Sequence, residues 1–137
     1  MESALKNKYK LTKLPITEEF LREKRLIQER GELVLITDGP IFKHITYFSL
    51  KPGSNYYRGG HYHKKKTENF YVITGKLRLV LKDVETGEKE EIILTAGDKL
   101  TIKPNCAHIF FAVEFSQVIE YYDSPYDPKD DFMYKDF

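Results

Sequence analysis

Residues 58–76 read RGGHYHKKKTENFYVITGK, and the fold turns on how this stretch is laid out. Two of the chain's four histidines stand one residue apart; a glutamate follows five positions after the second, and a glycine seven positions after that. In an extended chain, residues two apart point to the same face, so His61 and His63 project side by side with Tyr62 turned away. The KKKT that follows is polar and turn-forming. Beyond it an alternation begins in which Glu68, Phe70, Val72 and Thr74 share a face. A carboxylate above Phe70 and Val72 is a costly buried charge unless something cationic meets it.

Strand signals recur on both sides of this stretch. Downstream they fall at residues 69–74, 76–83, 90–94, 99–102, 107–113 and 117–122, separated by short turns. Upstream, Arg30-Gly31, Asp38-Gly39-Pro40 and Lys51-Pro52-Gly53 punctuate further strands. In KLRLVLKD, Leu77, Leu79 and Leu81 share one face and Arg78 and Lys82 the other, and Glu85-Thr86-Gly87-Glu88 closes a hairpin to EEIIL. Many short strands with regular turns indicate an all-β sandwich or barrel. The one helical signal lies near the N-terminus, where Thr17 before Glu18 and Glu19 reads as an N-cap and predicts a short helix to about Lys24. Three segments follow: an N-terminal extension over 1–30, a β-domain over 31–122 and an aromatic, acidic tail over 123–137. Phe132, Tyr134 and Phe137 in that tail predict docking on the body or on a second subunit, and with the exposed edges of a barrel they favour a homodimer.

At 137 residues the chain closes one ordinary domain. Its 22 Lys and Arg against 21 Asp and Glu leave +1, which gives no bulk attraction to nucleic acid or to an anionic membrane, so a small-molecule partner is expected. The single cysteine, Cys106, allows no intrachain disulfide. No apolar run has the length of a signal peptide or of a membrane span, and a cytoplasmic location is the expectation.

A third histidine stands in GDKLTIKPNCAHIFFA, where His108 shares a strand face with Phe110 and Ala112. A lone imidazole there wants a partner, and Asn105 fits a tight turn with positive φ. His44, in FKHITYF, has no such relation to the others and reads as an ordinary structural histidine.

With these residues in place the sequence resembles a cupin, a small β-barrel (a double-stranded β-helix, or jelly roll) whose two signature motifs carry metal ligands. Gly60, His61, His63, Glu68 and Gly75 match the first motif throughout. The second is matched at Gly97 and His108, but Lys103 stands where the pattern has proline and Asn105 where it has glycine. The resemblance implies a metal site of His61, His63, Glu68 and His108. Three imidazoles and a carboxylate suit a divalent cation, with manganese or iron favoured because open positions remain for a chelating substrate, and zinc, nickel or cobalt as alternatives.

ERGELVLI before RGGHYH, and YYDSPYDP after the last strand, also resemble cupins of sugar-nucleotide and capsular-polysaccharide metabolism. Isomerases among them often use a histidine base without metal, whereas all four ligand positions are kept here. The expected function is metal-assisted isomerisation or epimerisation of a small, sugar-like metabolite. The alternatives are an iron dioxygenase and a noncatalytic, metal-pinned sugar-binding module. Tyr57 has the parity of His61 and is expected inward; it and Glu68 are the candidate proton-transfer groups. Arg58, with Tyr57, is a candidate substrate contact, and it faces inward only if Gly59-Gly60 forms a bulge.

Overall fold

A computed structural model of the chain describes residues 3–18 and 23–137. Two long strands form its spine: β7 (Glu68–Asp83) and β10 (Cys106–Tyr122). They run antiparallel side by side from the Asp83–Cys106 pair to the Asn69–Tyr121 pair. Each was expected as two shorter strands, and each instead bends and continues. The bend in β7 is at Gly75, whose φ is +99°; a Cβ there would lie 2.2 Å from Ser116 Oγ and 2.5 Å from the Phe115 carbonyl oxygen. Opposite it, the register of β10 slips between Ala112 and Val118. Gly75→Ala therefore meets backbone as well as strain, and is expected to destabilise the fold by about 3 kcal/mol in chemical denaturation.

Other strands add to the two halves of the spine. On β7, β8 (Lys89–Thr95) pairs with the half beyond the bend and β9 (Asp98–Ile102) with the half before it. On β10, β6 (Arg58–Tyr62) pairs with the first half and β5 (His44–Leu50) with the second. β1 (Tyr9–Lys13) extends β9, and β11 (Phe132–Met133) extends β6. The result is the jelly-roll barrel expected of a cupin. Its interior is filled by alternate residues of these strands, including Phe70, Val72, Leu94, Leu100, Phe110 and Val118. Leu77, Leu79 and Leu81 lie on the buried face as their alternation requires, at 0% exposure.

Outside the barrel, β2 (Ile16–Thr17), β3 (Arg25–Gln28) and β4 (Gly31–Val34) form a second small sheet. Near it Leu14, Val34, Ile36 and Phe42 cover Tyr71 and Tyr121 on the outer face of the spine. Thr17, expected to cap a helix, instead ends β2 and pairs with Leu26; Ile16 and Thr17 are both β-branched and suit a strand. The body of that expected helix, residues 19–22, lies outside the described residues. Among the described residues the one helical turn is a 3-10 turn at Pro128–Asp130, and no helix is long and apolar enough to cross a membrane. Residues 1–30 contribute β1 to the main sheet and Leu5, 2% exposed, to the core. The tail aromatics pack on their own barrel: Phe132 stacks on Tyr62, Tyr134 meets the same ring edge-on, and Phe137 meets Tyr134. They therefore give no reason of their own for a second subunit.

Candidate metal and acid–base site

The barrel interior brings four of the expected residues together. His61 lies one residue before the end of β6 with His63 just beyond that end, Glu68 opens β7, and His108 lies on β10 directly across from His61. One donor atom from each can be chosen so that all lie within 4.8 Å of one another. Glu68, His63 and His108 are buried, at 2%, 4% and 1% exposure. Glu68 Oε1 stands 2.9 Å from His63 Nε2 and 3.1 Å from His108 Nε2. Close as they are, none of these three atoms has a well-formed hydrogen bond. Buried polar atoms left in this state are uncommon, and a shared cation satisfies all three.

The far side of each imidazole explains its orientation. His108 Nδ1 faces the Cys106 carbonyl oxygen at 3.0 Å, and His63 Nδ1 faces the Asp130 carbonyl oxygen at 2.5 Å. A carbonyl only accepts, so in both rings Nδ1 carries the hydrogen and, in the neutral ring, Nε2 keeps its lone pair. His61 Nδ1 lies 2.9 Å from an Asp131 carboxylate oxygen. These residues fit a divalent cation by donor type, convergence and tautomer.

The charges are strongly perturbed. Burial, with His108 and His63 close by, lowers His61 to about 4, so it is neutral near pH 7. Burial acts the same way on His63, but the Glu68 carboxylate outweighs it and the net shift is upward. For Glu68, burial pushes up, while His108, His63 and a bond from Glu120 pull down harder and hold it well below the usual carboxylate range.

Glu120 is the residue that sequence reasoning passed over. It sits on β10 between Val118 and Tyr122, both inward, and pairs across to Phe70 and Thr46. Burial, and then the neighbouring Glu68, raise it to about 9, so it is a neutral acid near pH 7. The parity argument that singled out Glu68 applies equally to VIEYY.

A cavity of about 200 Å³ opens onto this cluster, with Thr46, Phe48, Arg58, His61, Glu68 and Glu120 among its walls. Arg58 reaches it because Gly59 and Gly60, at φ +82° and +78°, form the bulge that a glycine pair permits. Across from them the pairing jumps from His108–His61 to Ile109–Gly59. A Cβ on Gly59 would lie 2.7 Å from the His108 carbonyl oxygen, so the strands approach this closely only with glycine there. The same bulge breaks the parity of Tyr57. Expected inward, it is 55% exposed and is not among the cavity-lining residues. It lies with Tyr56, Lys51 and Phe115 along an outer groove of about 400 Å³ that shares Arg58 with the cavity. Asn105 takes its expected positive φ, 62°, and its N–H donates to the His63 carbonyl, tying the two motif loops together. His44 stacks on Tyr122 at 4.1 Å and bonds Thr46, beside the cluster but outside it.

The jelly-roll barrel is consistent with the cupin fold. Residues 27–123 match the family described as polysaccharide biosynthesis C-terminal domain, and the chain belongs to that family. Over 57 residues, 42% of the chain, it is 44% identical to a UDP-2-acetamido-2,6-beta-L-arabino-hexul-4-ose reductase of Pseudomonas aeruginosa. That match spans 14% of the reductase's length. The barrel is similar to QdtA, a sugar 3,4-ketoisomerase from Thermoanaerobacterium thermosaccharolyticum solved with TDP, at TM-score 0.71 and 22% identity over 95% of this chain and 90% of that one. A 3,4-ketoisomerase from Helicobacter canadensis gives 0.71 and 19% over 90% and 89%. The dTDP-4-dehydrorhamnose 3,5-epimerase from Sulfolobus tokodaii gives 0.67 and 24% over 79% and 71%. At these identities the likeness is one of fold.

Proposed function

We propose that this chain is an isomerase or epimerase of a keto-sugar carried on a nucleoside diphosphate, and that His61, His63, Glu68 and His108 hold the divalent cation it uses. The observation that carries this reading is the convergence of the His63 and His108 Nε2 lone pairs on Glu68 Oε1, with each of those rings tied at Nδ1 from behind and a donor atom of His61 close by. The substrate class is supported by the neighbours of the same fold, which are sugar ketoisomerases and an epimerase, one of them solved with TDP. Manganese or iron is favoured over zinc, nickel or cobalt. A bound cation supplies Lewis-acid polarisation of a carbonyl oxygen.

The chain's own residues supply the proton traffic. Tyr57 lies outside the cavity and Glu68 Oε1 is committed to the imidazoles, so the transfer falls to Glu120. In its ionised form a carboxyl group of raised proton affinity is a stronger base than an ordinary carboxylate, and it takes the proton from the C–H next to the carbonyl to leave an enediolate. The carboxylic acid so formed then returns a proton to carbon. Isomerisation needs both acts and no net change of protons. At about 200 Å³ the cavity accommodates the reacting ring rather than a whole sugar nucleotide. Arg58 at its rim is placed to meet the diphosphate, and the outer groove with Tyr56 and Tyr57 to take the base.

The test is proton NMR of a TDP- or UDP-4-keto-6-deoxyhexose with the metal-loaded protein in D2O. Deuterium is expected to enter the carbon next to the carbonyl with no uptake of oxygen. Glu120→Gln is expected to slow that exchange by about 100-fold with metal content unchanged. Stoichiometric oxygen consumption would replace this reading with a dioxygenase. Tight binding without exchange would replace it with a binding module.

A further inference from the structure

We propose that the segment after the barrel, through Asp130 and Asp131, is what aims His61 and His63 at the cation; the inference rests on the metal reading above. Two ligands from one strand end and the loop leading to the third are all held by this one segment. The Asp130 carbonyl accepts from His63 Nδ1, while its carboxylate, on a residue 5% exposed, accepts from the backbone N–H groups of Lys64, Lys65 and Lys66 at 2.8, 3.2 and 3.1 Å. That carboxylate fixes the loop between His63 and Glu68. The next residue, Asp131, places its own carboxylate 2.9 Å from His61 Nδ1. Beyond them Phe132 and Met133 pair with Tyr62 and His61, and the Tyr134 N–H donates to the Gly60 carbonyl at 2.9 Å. Asp127 holds the preceding turn by accepting from the Lys129 N–H.

The segment therefore acts through the ligands rather than on the substrate. A neutral imidazole has one hydrogen, and an acceptor fixed at Nδ1 decides that it sits there, leaves Nε2 bare and sets the ring plane. A carboxylate in that position also makes the ring a stronger donor to a metal. Asp130 and Asp131 are thus positioning residues, in a stretch, DPKDD, whose composition alone reads as a solvated acidic tail.

The experiment uses the full chain and cobalt(II) as the probe, in competition with a chromophoric chelator at 25 °C, with the visible absorption of the bound cobalt as a second readout. Asp131 is half-exposed, so Asp131→Ala is expected to fold and to raise the cobalt Kd by roughly 10- to 100-fold, with an altered spectrum. Asp131→Asn keeps an accepting oxygen without the charge and is expected to recover part of the loss. Asp136→Ala removes a carboxylate of the same segment that pairs with Lys82 instead, and is expected to leave Kd and spectrum unchanged. A purely structural role would lower the melting temperature of Asp131→Ala while leaving both cobalt readouts as in the parent, and that result overturns the inference with the metal reading intact. Absence of cobalt binding by the parent chain overturns both.

Discussion

His108→Ala protein, purified alongside the parent, is expected to lose at least nine-tenths of its bound divalent metal, against about one ion per chain in the parent. His108 is the ligand whose removal separates the readings most cleanly. It is 1% exposed, comes from the strand opposite His61, and is oriented by the Cys106 carbonyl. Its loss leaves Glu68 facing one buried imidazole instead of two, and uncovers the Phe70 and Phe110 rings beside it. His44→Ala is the matched control. That ring also lies near the cluster, but it stacks on Tyr122 and bonds Thr46, and its removal is expected to leave metal content as it was. Elemental analysis decides, and full occupancy in His108→Ala would sink the ligand assignment.

The second large effect is on the slope of stability with pH. In the metal-free protein His63 is raised by Glu68, and Glu120 is raised to about 9 by burial and by Glu68. Both bind protons more tightly folded than unfolded. Their stabilisation is complete below the unfolded values, about 6.5 and 4.3, and is lost as pH rises through the folded ones. His61 runs the other way: lowered to about 4, it costs stability as pH falls from about 6.5 toward 4. The opposing slopes of His61 and Glu120 offset one another between about 4.5 and 6.5, and above that range only the downward slope remains. Chelator-treated protein is therefore expected to lose on the order of 2 kcal/mol between pH 6.5 and 9, after allowance for solvent at the cavity mouth, or roughly 6 °C in Tm. With a divalent cation present the imidazole protons are competitors, so occupancy is expected to hold the fall in Tm over that interval to less than in the chelated protein, and both occupancy and Tm are expected to drop below about pH 6.5. Scanning calorimetry with and without chelator provides the comparison. Parallel falling curves would mean that no cation displaces those protons.

The parts of this architecture that follow from strict alternation were legible in the sequence. Leu77, Leu79 and Leu81 had to face inward, His61 and His63 had to point together, and Asn105 had to turn where it does, because each depends only on local geometry. What alternation cannot register is a place where it is interrupted from outside. Gly75 looks like the end of a strand, but the strand continues because Ser116 packs where a side chain would be. Gly59 and Gly60 insert a residue against β10, which brings Arg58 to the cavity and leaves Tyr57 in the outer groove. Thr17 and its following acids have the form of a helix cap, yet pairing with Leu26 decides its conformation. Glu120 was readable by parity, and Asp130 and Asp131 were not, because their role depends on a return of the chain to a strand some seventy residues earlier.

One strand, β10, carries His108 on one side of its register slip and Glu120 on the other. The slip gives the protein an adjustable spacer. A change of length at the exposed residues 113–115 is expected to alter the reach from His108 to Glu120, whereas Ser116 and Gln117 are held by their pairing with β5 and by the packing of Ser116 on Gly75. For protein engineering this makes the short exposed run Val113-Glu114-Phe115 the natural point at which to retune the site for a ring of different size, because its side chains face outward at the slip rather than into the core.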